Sequence, residues 1–406
     1  MPTASTVAPN KHSTSGMTLI HVDFVLTGIV MTLLGPLLPI LSARWSLNDA
    51  QAGHLFTVQF VSSMFGMLLS GISARRFGYR TTLICGLVGM AAGIALLAGA
   101  SWLAGLMAVG IFGAAFGLTT PTANLLVAET YHQRSAGPLS LLNSSWGVGA
   151  MACPLVLAAA QRSQHTPLFL YATAFALAAL AAYFSAVRFA ADDFRETAPL
   201  PQPGEAAAIG YLVPLIAAMF FIYVGTETCM GGWIASYAHR IDSGFPAFWA
   251  VTPSFFWGAL LAGRIAAPVI LRRVHPISLA TAGVALAALG IVILLATTMM
   301  LFIVIGAAIA GFGLASVYPI NVSLLSHWFE DISPRLSGFI FAMGTLGGAV
   351  LPWFVGAIST RSGSLRWGFI VPLLGAIAML IFYLWQRSSL QNHMLPNETK
   401  QKTPAA

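Results

Sequence analysis

LVPLIAAMFFIYVGTETCMGGWIASYA, residues 212–238, decides how this chain is read. The segment is apolar over a length that crosses a bilayer, for which about 20 helical residues suffice. Its single charged side chain, Glu227, sits near the middle. Holding an ion at that depth costs several kcal/mol, and an acidic residue so placed defaults to service with an ion, a proton or a substrate. Two further carboxylates, Asp23 and Glu129, also fall inside apolar stretches.

The same pattern extends outward in both directions. The 406 residues are 57% hydrophobic and 8% charged, with a mean hydropathy of +0.82. A soluble chain carries roughly 25% charged residues. Apolar runs of membrane-spanning length recur and lack the alternation of barrel strands. The expected fold class is all-α, a polytopic membrane protein of 12 transmembrane helices in two six-helix bundles. Spans are expected near 18–41, 53–74, 81–100, 102–130, 137–160, 167–190, 211–238, 247–271, 276–297, 299–327, 335–359 and 366–386. These divide the chain into a tail (1–17), a bundle (18–190), an acidic and Pro-rich linker (191–210), a second bundle (211–386) and a final tail (387–406). The polar N-terminal tail lacks the pattern of a cleaved signal peptide.

With both termini cytoplasmic, fourteen Lys and Arg residues fall on the cytoplasmic side and five on the other, which favours that orientation. The expected location is a plasma membrane or a bacterial inner membrane. Topology accounts for the net charge of +7, so no nucleic-acid partner is expected, and membrane lipid surrounds the chain. Cys85, Cys153 and Cys229 all lie in apolar runs and read as small core residues, not as a disulfide or metal framework. No phosphate-cradling Gly loop, His/Cys cluster or hydrolytic nucleophile motif is present. No metal, no cofactor and no enzymatic activity are therefore expected.

The two halves repeat each other. Gly28 and Gly35 of span 1 match Gly225 and Gly232 of span 7 at an offset of 197. Gly149 and Pro154 of span 5 match Gly347 and Pro352 of span 11 at an offset of 198. FGLTTPTAN from Phe116 matches FGLASVYPIN from Phe312 with a one-residue slip. Paired halves with a site between them are a transporter plan.

GISARRFGYR, Gly71 to Arg80, resembles the signature between spans 2 and 3 of the major facilitator superfamily, and GRIAAPVILRR, Gly263 to Arg273, resembles its counterpart after span 8. Arg75 stands where that signature has an acidic residue, which removes one partner of the superfamily's inter-helix ion lock. NLLVAETYHQRSAGPLSLLNSSWGVGA from Asn124 and YVGTETCMGGWIASYA from Tyr223 are similar to fucose permease and sodium-dependent glucose transporter-like sequences. The resemblance implies a monomer that carries a sugar or similar polyol, driven by H⁺ or Na⁺.

Candidate residues follow from depth and chemistry. Glu227 is the first choice for coupling and for substrate capture, with Tyr223 one turn back on the same face. Asp23 is a second coupling candidate. Asn124, Asn143, Tyr318 and Asn321 offer hydroxyl-reading groups, and Trp146, Trp233, Trp257 and Trp353 offer apolar platforms for a sugar ring. Arg75, Arg76, Arg80, Glu129, Arg134 and Arg264 are expected at a cytoplasmic gate. The expected function is secondary active transport of a small polar solute by alternating access. An efflux pump for amphipathic drugs or cations, and a receptor that binds without flux, are the alternatives.

Overall fold

The computed structural model describes residues 11–131, 136–186, 212–241, 247–328 and 334–394. Twelve helices in these residues are long and apolar enough to cross a membrane. We label them α1 (Met17–Trp45), α2 (Asp49–Phe77), α3 (Tyr79–Gly99), α4 (Trp102–Tyr131), α5 (Gly137–Arg162), α6 (Thr166–Ala186), α7 (Leu212–His239), α8 (Phe248–Ile270), α9 (Pro276–Ala296), α10 (Met300–Leu325), α11 (Leu336–Ser362) and α12 (Leu365–Ser388). The linker at 191–210 and the chain ends at 1–10 and 395–406 lie outside the described residues.

Helices run past several of the expected ends because polar residues continue them beyond the apolar stretch. The clearest case is α2, expected from residue 53 but starting at Asp49. Asn48 Oδ1 accepts the Gln51 amide at 2.8 Å and Gln51 Oε1 accepts the Asn48 amide at 3.0 Å, a reciprocal cap. At the other end, Gly78 turns the chain into α3 with φ of 85°, a conformation that favours glycine. Proline shapes two spans. The α10 helix is interrupted at Ala315 and Ser316, and Ala315 is the residue whose carbonyl the Pro319 ring obstructs. A similar break at Leu33 precedes Pro36 in α1. By contrast α4 continues unbroken through Pro121.

Packing repeats between the halves. α1 lies on α5 as α7 lies on α11, α2 on α4 as α8 on α10, and α3 on α6 as α9 on α12. The repeated glycines mark these crossings. A Cβ on Gly149 would run into the Val25 carbonyl, and one on Gly28 into that of Trp146. In the second half a Cβ on Gly347 would meet the Phe221 carbonyl, and one on Gly225 the Leu351 side chain and the Gly347 carbonyl. Lipid offers little hydrophobic drive for helix association, so close backbone approach at small residues supplies much of the packing. Of the three cysteines, all free, Cys153 and Cys229 are buried but Cys85 is exposed on α3.

The halves meet through α2 on α11, α5 on α8, and the Leu34–Trp45 part of α1 on α7. We call the side holding Arg75, Arg76, Arg272 and Arg273 the basic face. The side with the α1–α2 turn is the opposite face. Toward the opposite face the halves are bound together. Thr57 Oγ1 donates to the Ala349 carbonyl at 2.9 Å, and the Ala50 amide donates to Thr360 Oγ1 at 2.9 Å. Asp49 accepts from both Arg240 and the Ser359 hydroxyl.

Candidate functional site

A cavity of about 80 Å³ lies between the halves. From the first half it is lined by Thr32 and Gly35 of α1, Phe56 and Gln59 of α2, and Trp146 of α5. From the second it is lined by Glu227, Thr228 and Gly231 of α7 and Trp257 of α8. The Trp146 and Trp257 rings meet edge to face, centroids 5.7 Å apart, and form an aromatic wall across the seam.

Glu227 is the acidic residue in this wall. Its Oε1 accepts from the Tyr223 hydroxyl at 3.0 Å and from Arg264 Nη2 at 3.0 Å. Tyr223 reaches it because residues four apart share a helical face. Tyr318 of α10 packs behind, its ring 5.7 Å from that of Tyr223. The guanidinium of Arg264 also lies 6.0 Å from the Trp146 ring centroid, at the outer reach of a cation–π contact between halves.

Arg264, which the sequence places at a cytoplasmic gate, bonds Glu227 of the cavity wall. Its Cα lies about two turns from the end of α8, roughly 9 Å along the axis. Side chains on a helix lean toward the helix N-terminus. The N-terminus of α8 is at the opposite face, so Arg264 leans toward mid-depth. Glu227, on a helix running the other way, leans down to meet it.

The predicted substrate-binding residues separate into three groups. Trp146, Trp257 and Glu227 line the cavity, with Tyr223 and Tyr318 directly behind them. Trp233 and Trp353 do not line it and belong to the closure toward the opposite face. Trp233 Nε1 donates to the Pro352 carbonyl at 3.0 Å and its ring packs on Phe56, while Trp353 packs against His54. The three amides do not line the cavity and each has one end bonded elsewhere, while Asn321 Nδ2 has no partner among the described residues. Asn124 Nδ2 donates to the Thr120 carbonyl and Asn143 Nδ2 to the Leu139 carbonyl, each one turn back on its own helix. Asn321 is buried, and its Oδ1 accepts the Tyr383 hydroxyl of α12 at 2.6 Å, inside the second bundle.

Asp23 is fully buried, and neither carboxylate oxygen has a hydrogen-bond partner among the described residues. It shares a buried face of α1 with Ile20, Thr27 and Val30, away from the lined cavity. On the basic face Arg80 Nε donates to the Phe184 carbonyl at 2.8 Å, tying the start of α3 to the end of α6. Glu129 accepts from the Tyr79 hydroxyl. Arg75 and Arg76 are exposed, Arg76 over the ring of Phe77. Arg134, the expected partner of Glu129, lies outside the described residues.

Sequence reading passed over Gln59. This amide is 1% exposed, lies midway along an apolar helix and reaches the cavity. An uncharged amide at mid-depth was the available signal, overshadowed by the more conspicuous carboxylates.

A profile of the Major Facilitator Superfamily matches residues 24–308 and 276–405. The chain is 25% identical over 346 residues to a protein TsgA homolog of Erwinia tasmaniensis, covering 84% of this chain and 87% of that one. It is 25% identical over 403 residues to a glucose/galactose transporter of Brucella abortus, covering 94% and 96%. The fold also resembles the crystal structure of a variant of the E. coli fucose:proton symporter FucP, with a TM-score of 0.62, 18% identity and coverage of 93% and 99%. Twelve helices in two repeated bundles, closed around one central cavity, agree with that match along the chain: this protein belongs to the Major Facilitator Superfamily.

Proposed function

We propose that the protein is a proton-coupled secondary transporter of a small sugar, which the cavity between the bundles presents to each face in turn. The observation that carries this reading is Glu227 in the cavity wall, paired with Arg264 behind it and beside the seam of two aromatic rings from opposite halves. The relative described as a glucose/galactose transporter supports the sugar class. Hydroxyl-rich solutes suit a site with acceptors, donors and flat apolar walls.

The pair supplies a coupling device. Glu227 stripped of Arg264 in its ionised form is a stranded charge, which is strongly unfavourable at this depth. Protonation removes the charge and frees Arg264 to donate to a solute oxygen. Solute capture and proton capture thus favour each other, and neither requires covalent chemistry. A proton suits this site better than Na⁺. One oxygen of Glu227 already receives two donors, and the Arg264 charge repels a metal cation. The same charge opposes an amphipathic drug cation. Asp23 is proposed as a second proton site, because an ionised carboxylate without donors is costly in a dry interior. The closure toward the opposite face leaves exchange to the basic face, which we assign to the cytoplasm. A hexose exceeds the present cavity of about 80 Å³, so binding accompanies parting of the bundles there. Each monomer in the membrane contains a whole site.

Uptake into proteoliposomes tests this. Labelled glucose or galactose should accumulate under an imposed pH gradient without Na⁺. Glu227→Gln should lose accumulation yet retain sugar exchange at equilibrium. Accumulation by Glu227→Gln at the wild-type level would refute the assignment.

A further inference from the structure

Two residues that line the cavity, one from each half, each carry a buried polar atom with no partner among the described residues. Gln59 is 1% exposed and Trp257 is 7% exposed, and both line the cavity. Gln59 Nε2 donates to the Met31 carbonyl at 3.1 Å, while its Oε1 has no hydrogen-bond partner. That bond settles which way the amide is turned, since only the NH₂ end can donate to a carbonyl. The free atom is therefore an acceptor. Trp257 Nε1, which can only donate, is likewise unpartnered. Buried polar atoms are mostly paired, and of the unpartnered ones these two alone belong to residues lining the cavity, one from each half, among the described residues.

The charges nearby narrow the ligand further. Arg264 is balanced by Glu227 while that carboxylate is ionised and stands alone once it is protonated, so in neither state does the site answer a cationic ligand. We propose that Gln59 and Trp257 form a split hydroxyl-reading pair for a neutral polyol: one ligand hydroxyl donates to Gln59 Oε1, and another accepts from Trp257 Nε1. This rests on the sugar-transport reading and adds which groups select the ligand. Because one member sits on α2 and the other on α8, a ligand that satisfies both bridges the bundles. Rocking apart would break one of the two contacts, so the pair also makes affinity depend on conformation.

The test is binding of D-glucose, D-galactose and their monodeoxy and monofluorodeoxy derivatives to purified protein, read by ligand-induced thermal stabilisation. On wild type, removal of the hydroxyl that meets Gln59 should weaken binding roughly 5- to 100-fold, the effect of stranding one buried group. Fluorine at that position should not restore it, because fluorine cannot donate. At the position meeting Trp257, fluorine should restore part of the loss, because it can accept weakly. Gln59→Leu should abolish discrimination at the first position alone, and Trp257→Phe at the second alone. Glucosamine should bind at least tenfold more weakly than glucose. The sugar series on wild type needs no variant, so a variant that fails to fold does not remove the test. If wild type binds hexoses but tolerates every single deoxygenation, or binds glucosamine equally well, this inference fails while the transport reading stands. If wild type binds no hexose at all, both fail.

Discussion

Arg264→Met tests the central pair most sharply. The Arg264 and Glu227 side chains are 22% and 14% exposed, so solvent screens them little. At 3.0 Å and an effective dielectric of about 20, their attraction is roughly 5 kcal/mol. Desolvation of both ions offsets most of it, so the pair as a whole adds little to stability. Removing one partner is a different matter. Glu227 would keep the Tyr223 hydroxyl but lose the positive charge, and stranding a buried ion costs about 3–5 kcal/mol. The Tyr223 bond places the expected loss near the lower end, about 3 kcal/mol. Arg264→Met with Glu227→Gln removes both charges and should recover most of that loss. The assay is thermal unfolding of wild type, both single variants and the double variant in one detergent at neutral pH. The order expected is wild type near the double variant, with Arg264→Met lowest. Additive losses in the double variant, with no coupling beyond about 0.5 kcal/mol, would show that the two side chains do not depend on each other.

Other consequences are equally direct. Asp49→Asn should loosen the opposite face: a screened ion pair and one charged hydrogen bond total roughly 2 kcal/mol, or about a 30-fold population shift. A cysteine placed at Thr57 should then react faster with an impermeant thiol reagent, and an unchanged rate would rule out the latch. Gly149→Ala should lower the yield of folded protein sharply, because its Cβ meets the Val25 carbonyl, whereas Gly137→Ala meets nothing within 4 Å and should be silent. Tyr383→Phe should destabilise by about 1–3 kcal/mol in thermal unfolding by stranding Asn321, yet leave sugar selectivity unchanged. Asp23→Asn should retain sugar exchange and lose accumulation driven by a pH gradient; full accumulation would exclude it from coupling.

Much of the architecture was legible because a bilayer imposes it. A helix must cross about 30 Å of hydrocarbon with its backbone satisfied internally, and that requirement writes long apolar runs into any such chain. The repeat was legible for a related reason. Gly28, Gly149, Gly225 and Gly347 recur at fixed offsets because they occupy equivalent backbone crossings, where a side chain has no room. The helix ends were less visible. The segment from Asp49 to Ala52 is polar at its start, and what makes it helical is a reciprocal cap between Asn48 and Gln51, not hydropathy.

Individual residues of the site were legible on separate helices, as Trp146 and Trp257 show, but bonds between them were legible only within a helix. Glu227 and Tyr223 are four residues apart, so their bond follows from helical geometry alone. Arg264, on another helix and nearer the basic face by counting, joins them because α7 and α8 run in opposite directions and their side chains lean toward each other. Asn321 shows the converse: an amide at mid-depth is as useful for holding two helices of one bundle together, and Tyr383 bonds its Oδ1 while its Nδ2 has no partner among the described residues. The same ambiguity attends every polar residue in a membrane helix. What resolves it is whether the bonding partner lies within one bundle, is shared between bundles, or is missing. A partner within one bundle moves with it and responds to transport only through a change of protonation or of ligand, as at Glu227 and Arg264. The closure at Asp49 and the residues Gln59 and Trp257 lie where the bundles move against each other, so the polar contacts that depend on conformation should concentrate there.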